Sequence, residues 1–308
     1  MQIIFELIKA ARPVHWTKNF ALFAAIFFSG GLTSNALIAN VIGAFVAFSM
    51  ATSATYLFND IFDARFDRLH PFKKFRPIAS GKLPISLAFI FAGLLALLAI
   101  YIASFYNPLF FISLTGYLLL QVSYSLGLKN IPIIDILIIA SGFVLRVYAG
   151  AFVIDAHLSV WFLLCVISVA LFLASGKRRS ELNISQTPGL TRKSLTKYKT
   201  ELLGSYVTMF GNAAWMSWAL FTFFESPKAS QPVWLFLAEI SKTTTIDKLL
   251  MITIPLAIFG IMRYEALIFE GKSQQPEKLI LTDVPLIGSV GLWVGLLYTI
   301  LYSGISSI

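Results

Sequence analysis

Residues 85–106 read ISLAFIFAGLLALLAIYIASFY, a continuous stretch without a charged side chain. A helix of about 20 apolar residues is long enough to cross the hydrocarbon core of a bilayer, which is about 30 Å thick. Residues 35–59 form a second uncharged stretch of similar length. Neither stretch has the alternating pattern of a membrane barrel strand, so both are predicted to be transmembrane helices.

The composition of the whole chain agrees with a membrane protein. Of its 308 residues, 57% are hydrophobic and 13% are charged, whereas soluble domains carry about 25% charged residues. The single cysteine, Cys165, excludes a disulfide framework. We predict an all-α integral membrane protein whose residues 1–308 form one polytopic domain with nine spans. The predicted spans are 19–34, 37–58, 85–104, 108–127, 133–153, 159–176, 202–224, 248–269 and 285–306.

The distribution of basic residues predicts the orientation in the cell membrane. Alternate gaps between spans hold 3, 6, 1, 7 and 2 of the 24 Lys and Arg residues, and the opposite gaps hold Lys228 and Lys242. The positive-inside rule then places the N-terminus and the basic loops in the cytoplasm and the C-terminus outside. The net charge of +9 is therefore no sign of nucleic-acid binding. The first residues resemble a short amphipathic helix on the membrane surface rather than a cleaved signal.

The first large cytoplasmic loop begins with an acidic motif. Asp60, Asp63 and Asp67 are spaced three and four residues apart, which places them within roughly 60° on one face of a helix. Three like charges on one face repel each other, and a divalent cation such as Mg²⁺ relieves the repulsion. The alternative is a solvated acidic face that pairs with Arg65 and Arg68.

Basic residues follow in both large cytoplasmic loops. Lys73, Lys74 and Arg76 form a compact group directly after the acidic motif, and together the two groups suit a diphosphate with its metal ion. After span six, Lys177 and Arg178 begin a second basic group, with Glu181 as an extra metal or hydroxyl ligand. The alternative for both basic groups is a plain orientation signal.

Three further charged residues stand out near the fifth span. Lys129 lies in the short loop before it, Asp135 lies in its first turn, and Arg146 lies inside it. A carboxylate in a first turn is favoured by the helix dipole, so Asp135 has a structural explanation as well as a functional one. A mid-membrane arginine costs about 2.5–3.5 kcal/mol on insertion scales and usually faces the bundle interior.

The motif Asn59-Asp60-x-x-Asp63-x-x-x-Asp67 resembles the first aspartate-rich motif of the UbiA superfamily of intramembrane prenyltransferases. Further motifs resemble the branch typified by decaprenyl-phosphate phosphoribosyltransferase. They are Arg12-Pro13 through Lys18-Asn19, Asp67-Arg68-x-His70-Pro71-x-Lys73-x-Phe75-Arg76-Pro77-Ile78-Ala79-x-Gly81, Tyr124-Ser125, Ser141-Gly142-Phe143-x-x-Arg146, Ser175-Gly176-Lys177-Arg178-x-x-Glu181-Leu182, Arg263-Tyr264 through Gly271, Pro276-Glu277 and Asp283.

This resemblance implies a fold and a reaction. The fold would be a nine-helix bundle around a cavity that opens sideways to lipid. The reaction would join phosphoribosyl pyrophosphate to a polyprenyl phosphate with Mg²⁺ as cofactor, release pyrophosphate, and make a lipid-linked pentose precursor for the cell wall. Members of the wider superfamily carry a second aspartate-rich motif after span six, where this chain has Gly176-Lys177-Arg178-Arg179-Ser180-Glu181. The extra positive charge favours a donor with several phosphates over a prenyl diphosphate.

We therefore expect the catalytic residues to be Asn59, Asp60, Asp63 and Asp67, with the three aspartates as metal ligands. The expected substrate-binding residues are Lys18, Arg68, His70, Lys73, Lys74, Arg76, Tyr124, Lys129, Asp135, Arg146, Lys177, Arg178 and Glu181. Two alternatives stay open. One is transfer of an isoprenoid to an aromatic acceptor, and the other is transport of an anionic solute, for which the expected internal symmetry is missing.

Overall fold

The computed structural model describes residues 2–69, 72–184, 197–225, 246–271, 279 and 282–302. Within these ranges the chain forms helices and no strand. The α-helices are α1 (Gln2–Ala11), α2 (Phe23–Phe28), α3 (Asn35–Asp67), α4 (Ile85–Ala103), α5 (Pro108–Leu126), α6 (Ile134–Val153), α7 (Val160–Ile184), α8 (Thr200–Phe224), α9 (Ile254–Phe269) and α10 (Val284–Tyr302). Shorter 3₁₀ segments are Pro13–Leu22, Gly31–Thr33, Lys73–Phe75, Leu128–Asn130 and Ile246–Thr253.

Seven helices of the described part are long and apolar enough to cross a membrane. They correspond to the second to sixth, eighth and ninth predicted spans, and α8 covers the seventh with 25 residues. The first predicted span, 19–34, is not one continuous α-helix. It is divided among the 3₁₀ segment Pro13–Leu22, α2 and Gly31–Thr33. Gly30, between α2 and Gly31–Thr33, has a left-handed φ of 77° that does not continue a helix. The all-α prediction is confirmed. In the described part of the chain, α1 precedes the first predicted span, and the nine α-helices that follow agree with the predicted nine.

Two helices continue beyond their predicted spans. Helix α3 begins after Ser34, whose hydroxyl accepts a bond from the Leu37 amide, and ends at Asp67 instead of residue 58. Helix α7 continues through 177–184. Neither extension contains a proline that would break the helix. The acidic motif therefore lies on a helix, as its spacing predicted.

The chain forms two compact units. The first consists of Met1–Ile26, Ser34–Ala156 and Ser185–Tyr198. A buried cluster in this unit joins α1, the loop after α3, and α4 to one side of α3; its members are Ala10, Leu57, Ala64, Ile78, Leu83, Ala88 and Ala92. This packing positions the loop that carries Arg76. A Cβ added to Gly150 of α6 would lie 2.0 Å from the Leu22 carbonyl oxygen. Glycine at this position therefore permits the close approach of Pro13–Leu22 to α6.

The second unit consists of Phe27–Thr33, His157–Ile184 and Lys199–Ile308. Its buried cluster joins α7, α8, α9 and α10 through Phe172, Val207, Tyr264, Leu267, Ile268 and Leu286. Near the end of α7, a Cβ on Gly176 would lie 2.4 Å from the Ile268 side chain. The two helices thus pack closely where the second basic group begins. The organisation of the chain as one domain stays a prediction.

Candidate active site

The acidic face of α3 lies at its C-terminal end and is largely buried. Asp60 is 2% exposed and Asp67 is 4% exposed, and Asp63 is half-buried between them. A buried carboxylate is costly unless it is paired or hydrogen-bonded. Each of the three has such a partner, and the partners found in the described part of the chain belong to the first unit.

Asp60 is held by two arginines from different parts of the chain. Arg12 Nη2 donates to both carboxylate oxygens of Asp60, at 2.6 and 2.7 Å. Arg76 Nη1 donates to Asp60 Oδ1 at 3.1 Å and to Asp67 Oδ2 at 2.6 Å. Arg76 therefore bridges two turns of α3, and the predicted proximity of this basic loop to the acidic motif is confirmed for Arg76.

Asp63 has a separate set of partners. Lys129 Nζ donates to Asp63 Oδ1 at 2.5 Å and to Asn59 Oδ1 at 3.3 Å. The Asn59 amide donates to Asp63 Oδ2 at 3.0 Å, and the Ser125 hydroxyl donates to Asn59 Oδ1 at 3.3 Å. Lys129 is 7% exposed. Its ammonium is therefore a buried charge of the site and not a solvent-exposed one.

The other predicted residues of the loop after α3 differ in their exposure and contacts. Lys74 is exposed with its ammonium 5.2 Å from the Phe75 ring, and Lys73 is half-buried. Arg68 donates from Nε to the Ala79 carbonyl at 3.3 Å, which fastens the loop to the end of α3. His70 lies outside the described residues.

Two predicted residues lie on helices beside the acidic face. Lys18 donates to the Tyr56 hydroxyl at 3.4 Å, and Tyr56 lies one turn before Asp60 on α3. Tyr124 is half-buried, next to Ser125 in the sequence. The substrate contacts expected for both residues stay predictions.

Asp135 belongs to a different cluster. Its side chain is fully buried, and Tyr198 donates a hydrogen bond to Oδ1 at 2.8 Å. The same hydroxyl accepts a bond of 2.5 Å from the backbone amide of Ile133. Ile133 has φ 70°, a conformation that β-branched residues rarely adopt. Asp135 and Tyr198 thus hold the short segment that follows Lys129.

Arg146 is buried within the membrane-spanning part of the first unit. It is 5% exposed and donates to Asn19 Oδ1 at 2.7 Å, the Gly142 carbonyl at 2.6 Å and the Tyr117 hydroxyl at 2.9 Å. Its guanidinium also lies 4.6 Å from the centre of the Tyr117 ring. The expectation that this arginine faces the protein interior is confirmed. It also donates to the Thr52 hydroxyl at 3.4 Å. These partners are neutral, and through them Arg146 joins Pro13–Leu22, α3, α5 and α6 of the first unit.

The second basic group lies at the end of α7 in the second unit. Arg178 is fully buried and forms an ion pair with Glu181, and Lys177 is half-buried. Arg179 donates to the Ile268 carbonyl at 3.2 Å and lies 3.6 Å from the centre of the Phe269 ring. A cation at the last carbonyls of α9 stabilises that helix end. The substrate-binding role of Lys177, Arg178 and Glu181 stays a prediction.

The oxygen donors of α3 fit a magnesium ion that is shared with a substrate. Within the described residues, no group of three or more His, Cys, Asp or Glu side chains converges into a ready-made metal cage. Mg²⁺ does not need such a cage, since it commonly takes one or two protein carboxylates and completes its shell with phosphate oxygens and water. Each carboxylate offers about four lone-pair positions, so Asp60 and Asp63 keep acceptor capacity beside their present partners.

Two contacts at the site were not anticipated from the sequence. Arg12 was noted as part of a motif but was not among the predicted site residues, although a cation next to Pro13, 48 positions before Asp60, was a visible signal. Tyr198 had no signal in the sequence, because its partner Asp135 is 63 positions away and nothing in the local sequence around Tyr198 points to it.

Residues 19–183 match the sequence model of the UbiA prenyltransferase family. A protein of Mycolicibacterium smegmatis named decaprenyl-phosphate phosphoribosyltransferase is 34% identical over 97% of this chain and 93% of its own length. A protein of the same name from Corynebacterium glutamicum is 36% identical over 90% of this chain and 81% of its own.

Solved structures share the fold. A UbiA homologue from Archaeoglobus fulgidus bound to GPP and Mg²⁺ superposes with a TM-score of 0.72, at 20% identity, over 96% of this chain and 99% of that one. The same homologue bound to DMAPP and Mg²⁺ gives a TM-score of 0.71 with the same identity and coverage. The arrangement of helices is therefore that of a known intramembrane fold.

Proposed function

The chain belongs to the UbiA prenyltransferase family, and we propose from this that it transfers 5-phosphoribose from phosphoribosyl pyrophosphate to a polyprenyl phosphate. The observation that carries the proposal is the identity of 34–36% with relatives named decaprenyl-phosphate phosphoribosyltransferase, over 90–97% of this chain. In the reaction, the bond between ribose C1 and the pyrophosphate oxygen breaks. A phosphate oxygen of the lipid forms the new bond to C1, and pyrophosphate leaves.

The residues around α3 supply both charges that such a donor needs. The carboxylates of Asp60 and Asp63, with Asp67 beside them, would hold Mg²⁺ together with diphosphate oxygens. When bound, the ion supplies positive charge to the leaving group. Arg76 and Lys129 lie against these carboxylates and would stabilise the negative charge that builds up on pyrophosphate. Asn59 orients Asp63 through its amide.

The acceptor needs binding rather than deprotonation. A lipid phosphate is already anionic at neutral pH, so no strong base has to be present. Lys73, Lys74 and Lys18 are cations of the proposed cytoplasmic end and would bind the acceptor phosphate or the 5-phosphate. Lys177 and Arg178 are proposed for the same purpose, and Arg178→Ala should raise the KM for phosphoribosyl pyrophosphate more than that for polyprenyl phosphate.

An apolar cavity in the first unit suits the first part of the isoprenoid tail. It has a volume of about 210 Å³ and lies between α3, α4 and α5, lined by Ala54, Thr55, Phe58, Phe89, Ala92, Gly93, Ala96, Leu118 and Val122. A cavity of about 150 Å³ holds a benzene ring, so this one accommodates a branched group somewhat larger. Phe58 directly precedes Asn59, and Val122 lies one turn before Ser125, which places the cavity next to the carboxylate site.

Prenyl transfer to an aromatic acceptor is the second candidate. Two solved structures of the fold, both of the Archaeoglobus fulgidus homologue, hold the prenyl diphosphates DMAPP and GPP. The relatives that match nearly the whole chain, however, carry the phosphoribosyltransferase name. The absence of a second aspartate-rich motif in the sequence favours the phosphoribosyl donor.

The test is direct. Purified full-length protein in detergent or nanodiscs is incubated with radiolabelled phosphoribosyl pyrophosphate, Mg²⁺ and polyprenyl phosphate, and the lipid extract is analysed. We expect a labelled phosphoribosyl lipid, its loss with EDTA, and its recovery with added Mg²⁺. Prenylation of an aromatic acid without any labelled lipid would overturn the proposal in favour of the second candidate.

A further inference from the structure

We propose that Arg12 binds the donor's diphosphate and that it does so by leaving Asp60, so that metal and diphosphate bind this site together and poorly alone. The inference rests on the proposed function only for the presence of a diphosphate in the donor. It assigns a role to a residue that the predicted set of site residues did not contain.

The first observation is the geometry of Arg12. One nitrogen, Nη2, makes both contacts to Asp60, and Nε and Nη1 donate no hydrogen bond within the described part of the chain. The side chain is 20% exposed, and the guanidinium lies 4.9 Å from the centre of the Tyr56 ring. A planar guanidinium with unused donors on the accessible side is suited to phosphate oxygens.

The second observation is that the backbone of Arg12 is held in an unusual conformation. Its φ of 53° and ψ of 62° are left-handed, which is uncommon outside glycine. The surroundings hold it there, because Ala10 and Ala11 are buried and the Ser53 hydroxyl donates to the Ala11 carbonyl at 2.9 Å. The turn between α1 and Pro13 thus places the Arg12 guanidinium against the acidic face of α3.

The third observation is the charge balance of the cluster. Among the described residues, the three carboxylates Asp60, Asp63 and Asp67 form ion pairs with the three cations Arg12, Arg76 and Lys129. A metal ion alone would add two positive charges beside three cations, and a diphosphate alone would add negative charge beside three carboxylates. Only the metal ion and the diphosphate together leave the net charge of the cluster nearly unchanged. When they bind, Arg12 exchanges the Asp60 carboxylate for a phosphate oxygen.

This exchange predicts opposite effects of one substitution. In Arg12→Gln the cation that competes for Asp60 is gone, so Mg²⁺ alone should bind tighter. Even at the dielectric constant of water, a unit charge about 6 Å from a divalent ion changes affinity by about tenfold. Pyrophosphate in the presence of Mg²⁺ loses a charged hydrogen bond and should bind about tenfold to a hundredfold more weakly.

The experiment is isothermal titration calorimetry on the full-length protein in detergent. Mg²⁺ is titrated with and without pyrophosphate, and pyrophosphate is titrated in excess Mg²⁺. The matched control is Lys9→Gln, which removes an exposed cation of α1 near Arg12 and should change neither affinity. Arg12→Lys keeps the charge but lacks the planar guanidinium, so its affinities for Mg²⁺ and pyrophosphate should lie between those of the wild type and of Arg12→Gln. Thermal unfolding checks that each variant is folded.

The outcomes are distinct. Tighter Mg²⁺ binding together with weaker pyrophosphate binding in Arg12→Gln supports the exchange. A parallel loss of both affinities would mean that Arg12 only anchors α1 to α3, and an unchanged pair of affinities would mean that it touches neither group. Wild-type protein that binds Mg²⁺ equally well with and without pyrophosphate also overturns the inference. Because this readout does not use ribose transfer, failure of the proposed reaction is detected separately by the lipid-product assay.

Discussion

Asp60→Asn is the sharpest test of the catalytic site, because the substitution removes a charge and almost no volume. In the structure Asp60 accepts two bonds from Arg12 and one from Arg76, and these pairs are lost or weakened. Breaking a fully buried pair costs about 3–5 kcal/mol and an exposed pair about 0–1 kcal/mol. Since the two arginines are 20% and 25% exposed, we expect a loss of stability of about 1–3 kcal/mol.

The effect on the reaction should be larger than the effect on folding. Removing one preorganised electrostatic group at a reacting centre lowers kcat by at least about a hundredfold, which corresponds to about 2.7 kcal/mol of activation free energy. The assay is the initial rate of labelled phosphoribosyl lipid formation at saturating substrates and Mg²⁺, with thermal unfolding in the same detergent.

The matched control for this test is Asp155→Asn. That carboxylate lies in the loop between α6 and α7, is exposed, and accepts a bond from Asn107 at the start of α5. Neither the rate nor the stability should therefore change. Wild-type kcat in folded Asp60→Asn protein would refute the catalytic role of the acidic face. It would also return the motif to the alternative of a charge-paired surface.

Three further predictions follow from the same structure. Gly93→Leu should fill the apolar cavity and raise the KM for polyprenyl phosphate without changing the KM for phosphoribosyl pyrophosphate. The control is Gly116→Leu, which should change neither KM, because Gly116 has equally open space around its Cβ but does not line the cavity. Tyr198→Phe removes the hydroxyl between Asp135 and Ile133 and should cost about 1–3 kcal/mol of stability, measured by thermal unfolding against Tyr101→Phe, an exposed tyrosine; equal stability of the two variants would contradict the role of this hydrogen bond. In a Cys165→Ala background, cysteines at positions 73 and 193 should be labelled only from the cytoplasm and one at position 230 only from outside, and the reverse pattern would disprove the predicted orientation.

The neutralised state of the acidic face changes how the motif is understood. Spacing alone suggests three carboxylates that repel each other until a metal ion arrives. In the folded protein the carboxylates already have cationic partners, and two of these, Arg12 and Lys129, come from 48 and 66 positions away along the chain. The repulsion is therefore relieved before any ligand binds, and ligand binding becomes an exchange of partners.

The alternative pairing considered for the motif is not the one observed. Arg65 and Arg68 lie on the same helix or directly after it, and the contacts found for Arg68 go to the Ala79 carbonyl rather than to an aspartate. The arginines that do pair, Arg12 and Arg76, come from outside α3. A helix presents residues three or four apart to one another, but the partners of a buried face come from whatever packs against it.

Properties that depend on local pattern could be read from the sequence. Uncharged stretches such as 85–106 specify membrane helices because a bilayer penalises every unpaired polar group, and the helix bounds of α4, α5 and α6 agree with the predicted spans to within one residue. The placement of Asp60, Asp63 and Asp67 on one face follows from 3.6 residues per turn. The family could also be recognised, because its motifs are contiguous.

Only the tertiary structure decided which charges meet. Arg76 reaches α3 because Ile78 and Leu83 are buried in the cluster beneath its loop, and Arg12 reaches Asp60 because a left-handed turn ends α1. Lys74, which has the same charge two positions before Arg76, is instead exposed, with its ammonium beside the Phe75 ring. The break in the first predicted span likewise arises from backbone angles that hydropathy does not record. Ion pairs between distant residues depend on how the helices pack, and that packing is a property of the whole first unit rather than of any one stretch.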